Sequence, residues 1–318
     1  MPAQNWMKCD LCGGLAIMSM PQHRLKLCEE HYLAWVQRMV QRAIDHYQMF
    51  TREERVLVAV SGGKDSLGLW DILTRLGYQT EGVYIHLGIA HEDYSDVSQH
   101  KVEQFAAEHS LPFQVVNVRA AYGRSIPELK RTGRGKHLCA VCGLVKRHIM
   151  NRIAYEGGYA AIATGHNLDD EAAILLQNTL HWQAGYLHRQ GPVLPSTHPR
   201  LARKVKPLCH LYERESAAYA LVRGVDFVEQ ECPYAVRATS IFYKQILNQI
   251  EARSPGTKCQ FYDGLLEGKA SGELIFHSDK LDEEPALNAD DYQTCPRCGQ
   301  PTLGSGLCAF CRLWETTT

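Results

Sequence analysis

The chain has 318 residues, enough for one large domain with small appendages or for two ordinary domains. Hydrophobic residues make up 45%, which supports a sizeable core and excludes a wholly disordered chain. The formal net charge is −1, so a nucleic acid would have to bind to a local basic face. No signal peptide opens the sequence, and no apolar run approaches the roughly 20 residues that a membrane span requires. We therefore expect a cytoplasmic protein with no membrane attachment.

Twelve cysteines are many for such a protein, and their grouping indicates metal ligands rather than disulfides. Near the start, Cys9 and Cys12 precede Cys28 and His31 with the spacing of a zinc site. Short segments of this kind have little core and need the metal in order to fold. We predict one structural Zn²⁺ at each end and assign no chemistry to either. The C-terminal ligand set consists of Cys295, Cys298, Cys308 and Cys311.

Between these cysteine sets, short apolar strands alternate with amphipathic helices. This alternation predicts an α/β fold with a doubly wound, Rossmann-like parallel sheet and right-handed crossovers. Residues 191–203 are predicted to form a long loop. The predicted strands are 55–60, 82–87, 112–118 and 159–163. The predicted helices are 67–76, 96–109, 143–156, 168–180, 213–222 and 240–252.

Composition divides the chain into four parts. An acidic stretch with one proline and few apolar residues separates the body from the C-terminal cysteines and is typical of a linker. The predicted parts are an N-terminal zinc finger (1–33), the α/β body (34–277), the linker (278–292) and a C-terminal zinc finger (293–318).

A glycine-rich loop follows the first predicted strand, where an open parallel sheet binds its ligands. Two adjacent glycines allow a sharp turn and point backbone amides at an anion. A lysine adds positive charge, two serines add hydroxyl donors, and the next helix directs its positive end at the same place. The loop consists of Ser61, Gly62, Gly63, Lys64, Asp65 and Ser66. It predicts a nucleotide-phosphate site rather than a simple turn, with shorter spacing than the Walker-type loop.

Three more cysteines lie in the body: Cys139 and Cys142 at the start of a predicted helix, and Cys232 downstream. A helix N-terminus favours ionised thiolates, and thiolates three residues apart can face one metal. A zinc site lacks its fourth cysteine here, whereas three cysteines can hold a four-iron cluster with one iron left open. A redox pair beside an unrelated buried thiol is the alternative. Cys209 and Cys259 have no partners by spacing, and we interpret them as packed thiols.

Two groups of basic residues lie near these cysteines in the sequence. Such side chains would contact an RNA backbone, although charge runs are more often plain solvated surface. The position of the first group beside the cysteine pair favours RNA. The groups are Arg124, Lys130, Arg131, Arg134, Lys136 and His137, and then Arg200, Arg203, Lys204 and Lys206.

The loop 61–66 after a first strand resembles the PP-loop of the ATP pyrophosphatases, which adenylate a carbonyl or amide oxygen and release pyrophosphate. A second match is the segment 164–171, Thr-Gly-His-Asn-Leu-Asp-Asp-Glu. The resemblance implies that Asp170 takes part in catalysis together with Lys64. The ATP and Mg²⁺ site that it implies comprises residues 61–66, Gly165, His166 and Asp169.

The central cysteines resemble those of the tRNA 2-thiouridine synthetases, which hold an oxygen-sensitive 4Fe–4S cluster. The match consists of Cys139-x-x-Cys142-Gly-Leu, a following Lys-Arg pair, and Cys232-Pro. The resemblance implies that these three cysteines hold the cluster. It also implies that Lys146, one helical turn after Cys142, acts at the reacting centre. The match covers nearly the whole chain, both zinc modules included.

This resemblance implies ATP-dependent thiolation of tRNA. ATP would adenylate the C2 oxygen of a uridine, and sulfide on the open iron would displace AMP and leave 2-thiouridine. The sulfur donor would be the thiocarboxylate of a ubiquitin-like carrier protein or free sulfide, and the chain would be a homodimer. The cysteine segment 295–314 is closer to the enzymes that act on the T-loop uridine, giving 2-thioribothymidine, than to the wobble-uridine enzymes.

Other functions remain open from the sequence. Thiolation of the wobble uridine or of a cytidine would use the same central motifs, but a cytidine enzyme should lack the zinc modules. An ATP-dependent amide- or lysidine-forming synthetase would share the loop without needing the three central cysteines. A zinc-finger RNA-binding protein with an inactive nucleotide domain would not turn over ATP.

Overall fold

A six-stranded sheet lies at the centre of the computed structural model, which describes residues 7–131, 138–235, 239–276 and 291–315. The strands are β1 (Met18–Met20), β2 (Leu25–Leu27), β3 (Arg55–Val60), β4 (Gln79–His86), β5 (Phe113–Asn117), β6 (Ala161–Thr164), β7 (Val193–Leu194), β8 (Arg203–Val205), β9 (Gln293–Thr294) and β10 (Pro301–Thr302). β1 pairs with β2 and β9 with β10, each as a small antiparallel hairpin outside the main sheet.

Helices surround the sheet. They are α1 (Glu29–His46), α2 (Lys64–Arg75), α3 (Tyr94–Glu108), α4 (Val118–Tyr122), α5 (Ile126–Arg131), α6 (Leu138–Glu156), α7 (Leu168–Leu180), α8 (Ala184–Arg189), α9 (Glu213–Val222), α10 (Thr239–Arg253), α11 (Thr257–Ser271) and α12 (Ala309–Leu313). Short 3₁₀ turns occur at Pro21–His23 and His91–Asp93. Within the described ranges, none of the helices combines the length and the apolar character needed to cross a bilayer.

The strand order of the main sheet is β5-β4-β3-β6-β8-β7, and within it β7 alone runs antiparallel to its neighbour. The chain moves outward from β3 through β4 to β5, then returns to the other side of β3 to add β6. This reversal between β3 and β6 marks the place where open parallel sheets bind ligands. Residues 61–66 follow β3 and residues 165–171 follow β6, so both predicted nucleotide segments lie there. The α/β fold with a doubly wound parallel sheet is confirmed.

Both faces of the sheet are covered, which explains the almost continuous apolar sequence of β3. Val56, Val58 and Val60 belong to a core that also includes residues of α1, α2, α3 and α9. Leu57 points to the opposite side and belongs to a second core, built with α6. Strand β3 is therefore fixed from both sides, and so is the start of the loop that follows it.

The C-terminal cysteine segment packs on the second core, against α6. The ring of Phe310 in α12 stacks on His148 of α6, with centroids 3.7 Å apart and planes inclined by 7°. Trp314 stacks on Tyr122 at 5.1 Å. Helix α6 carries Cys139 and Cys142 in its first turns, so the terminal module and the central cysteines share one helix.

Several sequence predictions need correction. The helices that were not predicted include α1 and α11. The buried positions of α11 are Lys258, Tyr262, Leu265 and Gly268. Because two of these four residues are a lysine and a glycine, the sequence lacks the apolar periodicity by which a helix is predicted. The predicted loop 191–203 contains the short strand β7 and the first residue of β8. Most of the predicted linker 278–292 and the basic side chains between 130 and 137 lie outside the described residues, and the four-part division stays a prediction.

Candidate active site

The loop after β3 is a compact turn closed by its own serines. The Ser61 amide donates to Ser66 Oγ at 3.0 Å, and that hydroxyl donates to the Gly63 carbonyl at 3.0 Å. Gly62 has φ +80°, and a Cβ there would stand 2.7 Å from the Ser98 carbonyl oxygen, so other residues are excluded. Helix α2 begins at Lys64 without a side-chain cap, which leaves its first amides open to an anion.

The segment after β6 packs directly on this loop. A Cβ on Gly165 would lie 2.9 Å from the Ser66 nitrogen, so only a glycine allows the approach. Asn167 caps α7 in a reciprocal box with Asp170, and its side-chain amide donates to Asp65 Oδ1 at 3.3 Å. The hydroxyl of Thr164 lies 2.8 Å from His166 Nδ1. Both predicted nucleotide segments thus form one continuous site.

A chain of alternating charges crosses this site. Lys64 Nζ lies 3.1 Å from Asp65 Oδ2 and 3.0 Å from Glu213 Oε1. Lys244 Nζ lies 3.1 Å from Glu213 Oε2 and 2.6 Å from Asp170 Oδ1. Glu213 and Lys244 were not predicted as site residues, because each is a charged residue of a predicted helix and neither belongs to a recognisable motif.

The two added residues are ionised at neutral pH. Burial opposes the charge of Lys244, but Asp170 and Glu213 outweigh it and raise the pKa of this lysine. Burial likewise opposes ionisation of Glu213, and the two lysines nevertheless lower its pKa. At Asp65 burial prevails and raises the pKa of the carboxyl, in spite of Lys64. The arrangement offers cations for phosphate oxygens and carboxylates for a magnesium ion.

Asp169 occupies a different environment from Asp170. Its side chain is buried, with Oδ2 accepting from the Glu213 amide at 2.8 Å and Oδ1 paired with Lys258. Lys258 is itself buried and also donates to Asn248. Both oxygens of Asp169 therefore have protein partners, and binding of Mg²⁺ by this residue would require one of them to be released.

The three central cysteines come together from two segments. Cys139 and Cys142 lie in the first turns of α6, and Cys139 Sγ donates to the Tyr234 carbonyl at 3.7 Å, two residues from Cys232. Burial raises the pKa of Cys142, and the thiols of Cys232 and Cys139 act in the same direction, whereas Lys146 opposes it. Cys142 is therefore close to all three predicted partners.

Three thiols with one lysine fit a cluster with one iron free of protein ligands. Among the described residues, these cysteines are not one of the groups whose ligand atoms all lie within 4.8 Å of one another. At least one pair of their sulfur atoms therefore lies farther apart than the ligand atoms of the terminal sets, so the three thiols do not form a preformed single-ion site.

The two terminal sets have the compactness of single-ion sites. Each has all four ligand atoms within 4.8 Å of one another. In the first set, His31 Nδ1 lies 3.2 Å from Cys28 Sγ and 3.6 Å from Cys9 Sγ. In the second, Cys298 Sγ lies 3.7 Å from Cys308 Sγ. Closed sets of four such ligands are typical of structural zinc.

The second basic group does not form a free surface. Arg200 donates to the Gly299 carbonyl, Arg203 pairs with Glu54 at 3.5 Å, and Lys206 pairs with the buried Glu171 at 2.7 Å. Burial also lowers the pKa of Lys204. Contact of these residues with RNA would have to compete with their partners within the protein, and it stays a prediction.

Comparison with known proteins identifies the family of this chain. A family model for the PP-loop domain matches residues 35–239, and a model described as the 2-thiouridine synthetase TtuA N-terminal LIM domain matches residues 8–33. A tRNA-5-methyluridine(54) 2-sulfurtransferase of Thermus thermophilus is 48% identical over 97% of this chain and 91% of its own length. The enzyme of the same name from Pyrococcus horikoshii is 41% identical over 97% and 94%.

Among solved structures, the U34-tRNA thiolase NcsA from Methanococcus maripaludis with its [4Fe-4S] cluster superimposes with a TM-score of 0.74. The match covers 86% of this chain and 91% of that one, at 23% sequence identity, and it supports the fold. The family match and the two relatives together show that the chain belongs to the PP-loop family and, within it, to the tRNA-5-methyluridine(54) 2-sulfurtransferases.

Proposed function

We propose that this protein uses ATP to replace the C2 oxygen of a tRNA uridine with sulfur, at position 54 in the T-loop. The relatives that carry this activity in their names match 97% of the chain. This chain carries three central cysteines and two terminal ligand sets. One contact carries the proposal: the Val228 amide donates to the Gly62 carbonyl at 2.9 Å. The segment that bears Cys232 is thereby held against the nucleotide loop, and this contact supports adenylation and sulfur transfer at neighbouring positions.

The residues divide the reaction between them. Residues 61–66 and the first turn of α2 would hold the ATP phosphates, with Gly165 and His166 beside them. The carboxylates of the site would hold Mg²⁺, which would offset the charge of the phosphates. The uridine C2 oxygen attacks the α-phosphorus, pyrophosphate leaves, and sulfur later displaces AMP, which carries the original oxygen away. Lys64 and Lys244 stabilise the phosphate charge that develops in the first step. Asp170 orients Lys244, and Lys146 serves the sulfur-transfer step beside Cys142.

Cys139, Cys142 and Cys232 would hold a 4Fe–4S cluster, whose open iron can bind sulfide. The sulfur donor that we propose is a ubiquitin-like thiocarboxylate protein or free sulfide, and the active form that we propose is a homodimer. The cytoplasmic location stays a prediction. The terminal zinc sets would fold their segments and take no part in the chemistry.

The test is an anaerobic assay with ATP, sulfide and tRNA, analysed for thionucleosides by mass spectrometry. The reconstituted chain should thiolate tRNA that lacks uridine 34 and fail on tRNA that lacks uridine 54. The reverse result would assign it to the wobble position. Cys232→Ala should abolish thiolation together with iron binding, whereas Cys209→Ala, which removes a buried thiol, should leave both intact. Thiolation-free ATP turnover that survives Cys232→Ala would instead indicate an amide-forming synthetase.

A further inference from the structure

A third group of metal-ligand side chains lies apart from the terminal sets and the central cysteines. It consists of His210, Cys259 and Asp263, whose ligand atoms all lie within 4.8 Å of one another. We propose that these three side chains bind a Zn²⁺ ion. The site goes beyond the thiolation chemistry, since none of its residues lies in the nucleotide loops or with the central cysteines. Cys259, interpreted above as a packed thiol, does pack against the first core, and the proposal gives it a second role.

The geometry is that of a preformed site. Cys259 and Asp263 are one turn apart on α11 and so share a face, while His210 approaches from the loop between β8 and α9. Cys259 Sγ lies 3.1 Å from Asp263 Oδ2, and His210 Nδ1 lies 3.4 Å from Asp263 Oδ1. Tetrahedral zinc with nitrogen and oxygen ligands at about 2.1 Å places those ligands about 3.4 Å apart.

The terminal sets provide a comparison within the same molecule. Their neighbouring ligand atoms are separated by 3.2 Å at Cys28 and His31 and by 3.8 Å at Cys12 and Cys28. The spacings of the third group are as short as these. The third group is therefore as compact as the two terminal sets, whose ligand spacing along the sequence is typical of zinc sites.

A neighbouring tyrosine orients the histidine. Tyr47 Oη lies 2.8 Å from His210 Nε2, and the two rings stack with planes inclined by 10°. A histidine that binds metal through Nδ1 carries its proton on Nε2, where it can donate to this oxygen. Such outer contacts commonly fix the tautomer and the ring orientation of a ligand histidine. The contact exists here without any rearrangement.

Charge and exposure suit an exchangeable ion. A thiolate and a carboxylate neutralise a dication, and binding releases the thiol proton of Cys259 to the solvent. Nitrogen, sulfur and oxygen donors together match the ligand preferences of zinc. His210 is 20% exposed and Asp263 36%, which leaves room for water as a fourth ligand. The ion would tie α11 to the loop before α9 and to the end of α1.

Zinc binding is measured on the anaerobically reconstituted protein, in which iron occupies the central cysteines. After equilibrium dialysis against Zn²⁺, the wild type should hold one more zinc per chain than His210→Ala, Cys259→Ala or Asp263→Asn. Cys209→Ala is the matched control, because it removes the adjacent buried thiol and should retain the extra ion. With Co²⁺ as the probe, the charge-transfer absorption contributed by this one thiolate should disappear in Cys259→Ala.

Melting temperatures distinguish loss of the zinc site from misfolding of a variant. Added Zn²⁺ should raise the melting temperature of the wild type and of Cys209→Ala, and leave the three ligand variants unchanged. Equal zinc content in all five proteins would overturn the proposal and leave a hydrogen-bonded triad without metal. An equal rise in melting temperature in every protein would overturn it as well, since the terminal sets would then account for the effect.

Discussion

At the scale of single residues, the candidate site depends on lysines that no motif identifies. Lys244 pairs with both Asp170 and Glu213, and Glu213 also pairs with Lys64 of the loop 61–66. Lys258 forms an ion pair with the buried Asp169. These partners are far apart in the sequence, so a single sequence gives no sign of the pairing. The residues of the loop 61–66 were predictable because adjacent glycines, a lysine and hydroxyls in one short segment carry a recognisable chemistry.

Replacing Lys244 should impair the use of ATP. In Lys244→Ala, Asp170 and Glu213 lose their shared cation, and their negative charge repels the nucleotide phosphates. We expect a loss of about 100-fold or more in thiolation at limiting ATP. The comparison is Arg55→Ala at the opposite end of β3, which removes a half-exposed side chain that pairs with Glu81 and donates to Tyr159 and should change the rate less than about twofold. Similar rates in both variants would exclude Lys244 from the site.

His148 should make the folded state sensitive to acid. Burial lowers the pKa of this histidine from 6.5 to about 4, so between these values the unfolded chain binds the additional proton. Stability contributed by the neutral ring is present above pH 6.5 and is lost as the pH falls towards 4. His148→Phe keeps the stack on Phe310 without titrating. Denaturant unfolding across this range should show a steeper decline for the wild type, and parallel curves would contradict the expectation.

At the scale of elements, two glycines allow the nucleotide segments to approach each other. Gly62→Ala adds a methyl group against the Ser98 carbonyl at a positive φ, and Gly165→Ala adds one against the start of α2. Each should abolish ATP binding in calorimetry, and Gly62→Ala should cost at least about 1–2 kcal/mol of unfolding free energy. Gly264→Ala is the control. It lies in α11 with open space around its Cβ position and should stabilise the fold by about 0.5–1 kcal/mol.

Periodicity predicted some elements well and missed others for a physical reason. The bounds of α7 and α9 agree with the predicted ranges 168–180 and 213–222, since apolar and capping residues mark both ends. Helix α11 buries Lys258 through its ion pair with Asp169, a contact that makes a charged residue part of the interior. Strands β7 and β8 gain their hydrogen bonds from partners elsewhere in the sheet, so their own few residues carry little signal.

At the scale of the whole molecule, α6 connects the C-terminal zinc segment to the central cysteines. Phe310 is buried against His148 on the same helix that begins with Cys139 and Cys142. Loss of this stack removes support from one side of α6. The C-terminal segment thereby supports the helix whose first turns carry Cys139 and Cys142.

Phe310→Ala should therefore reduce the iron content of the reconstituted protein. Deleting a buried phenyl ring costs about 3–5 kcal/mol, and we expect faster hydrogen exchange in α6 as well as less iron per chain. Leu303→Ala truncates a 41%-exposed side chain in the same segment and should leave both measurements unchanged. Chelation of the C-terminal zinc should reproduce the effect of Phe310→Ala. Full iron retention after either treatment would show that α6 holds its position unaided.

Because Lys64 is paired with Glu213, a carboxylate of the protein competes with phosphate for this lysine. Without a nucleotide, the carboxylate of Glu213 is paired with the ammonium group of Lys64, to which a phosphate would otherwise bind. A single free phosphate must displace this tethered anion with little else to gain, whereas ATP brings three phosphates, a metal ion and a base. The site should therefore bind small anions such as free phosphate weakly. It should also bind the nucleotide less tightly than it would if Lys64 had no carboxylate partner.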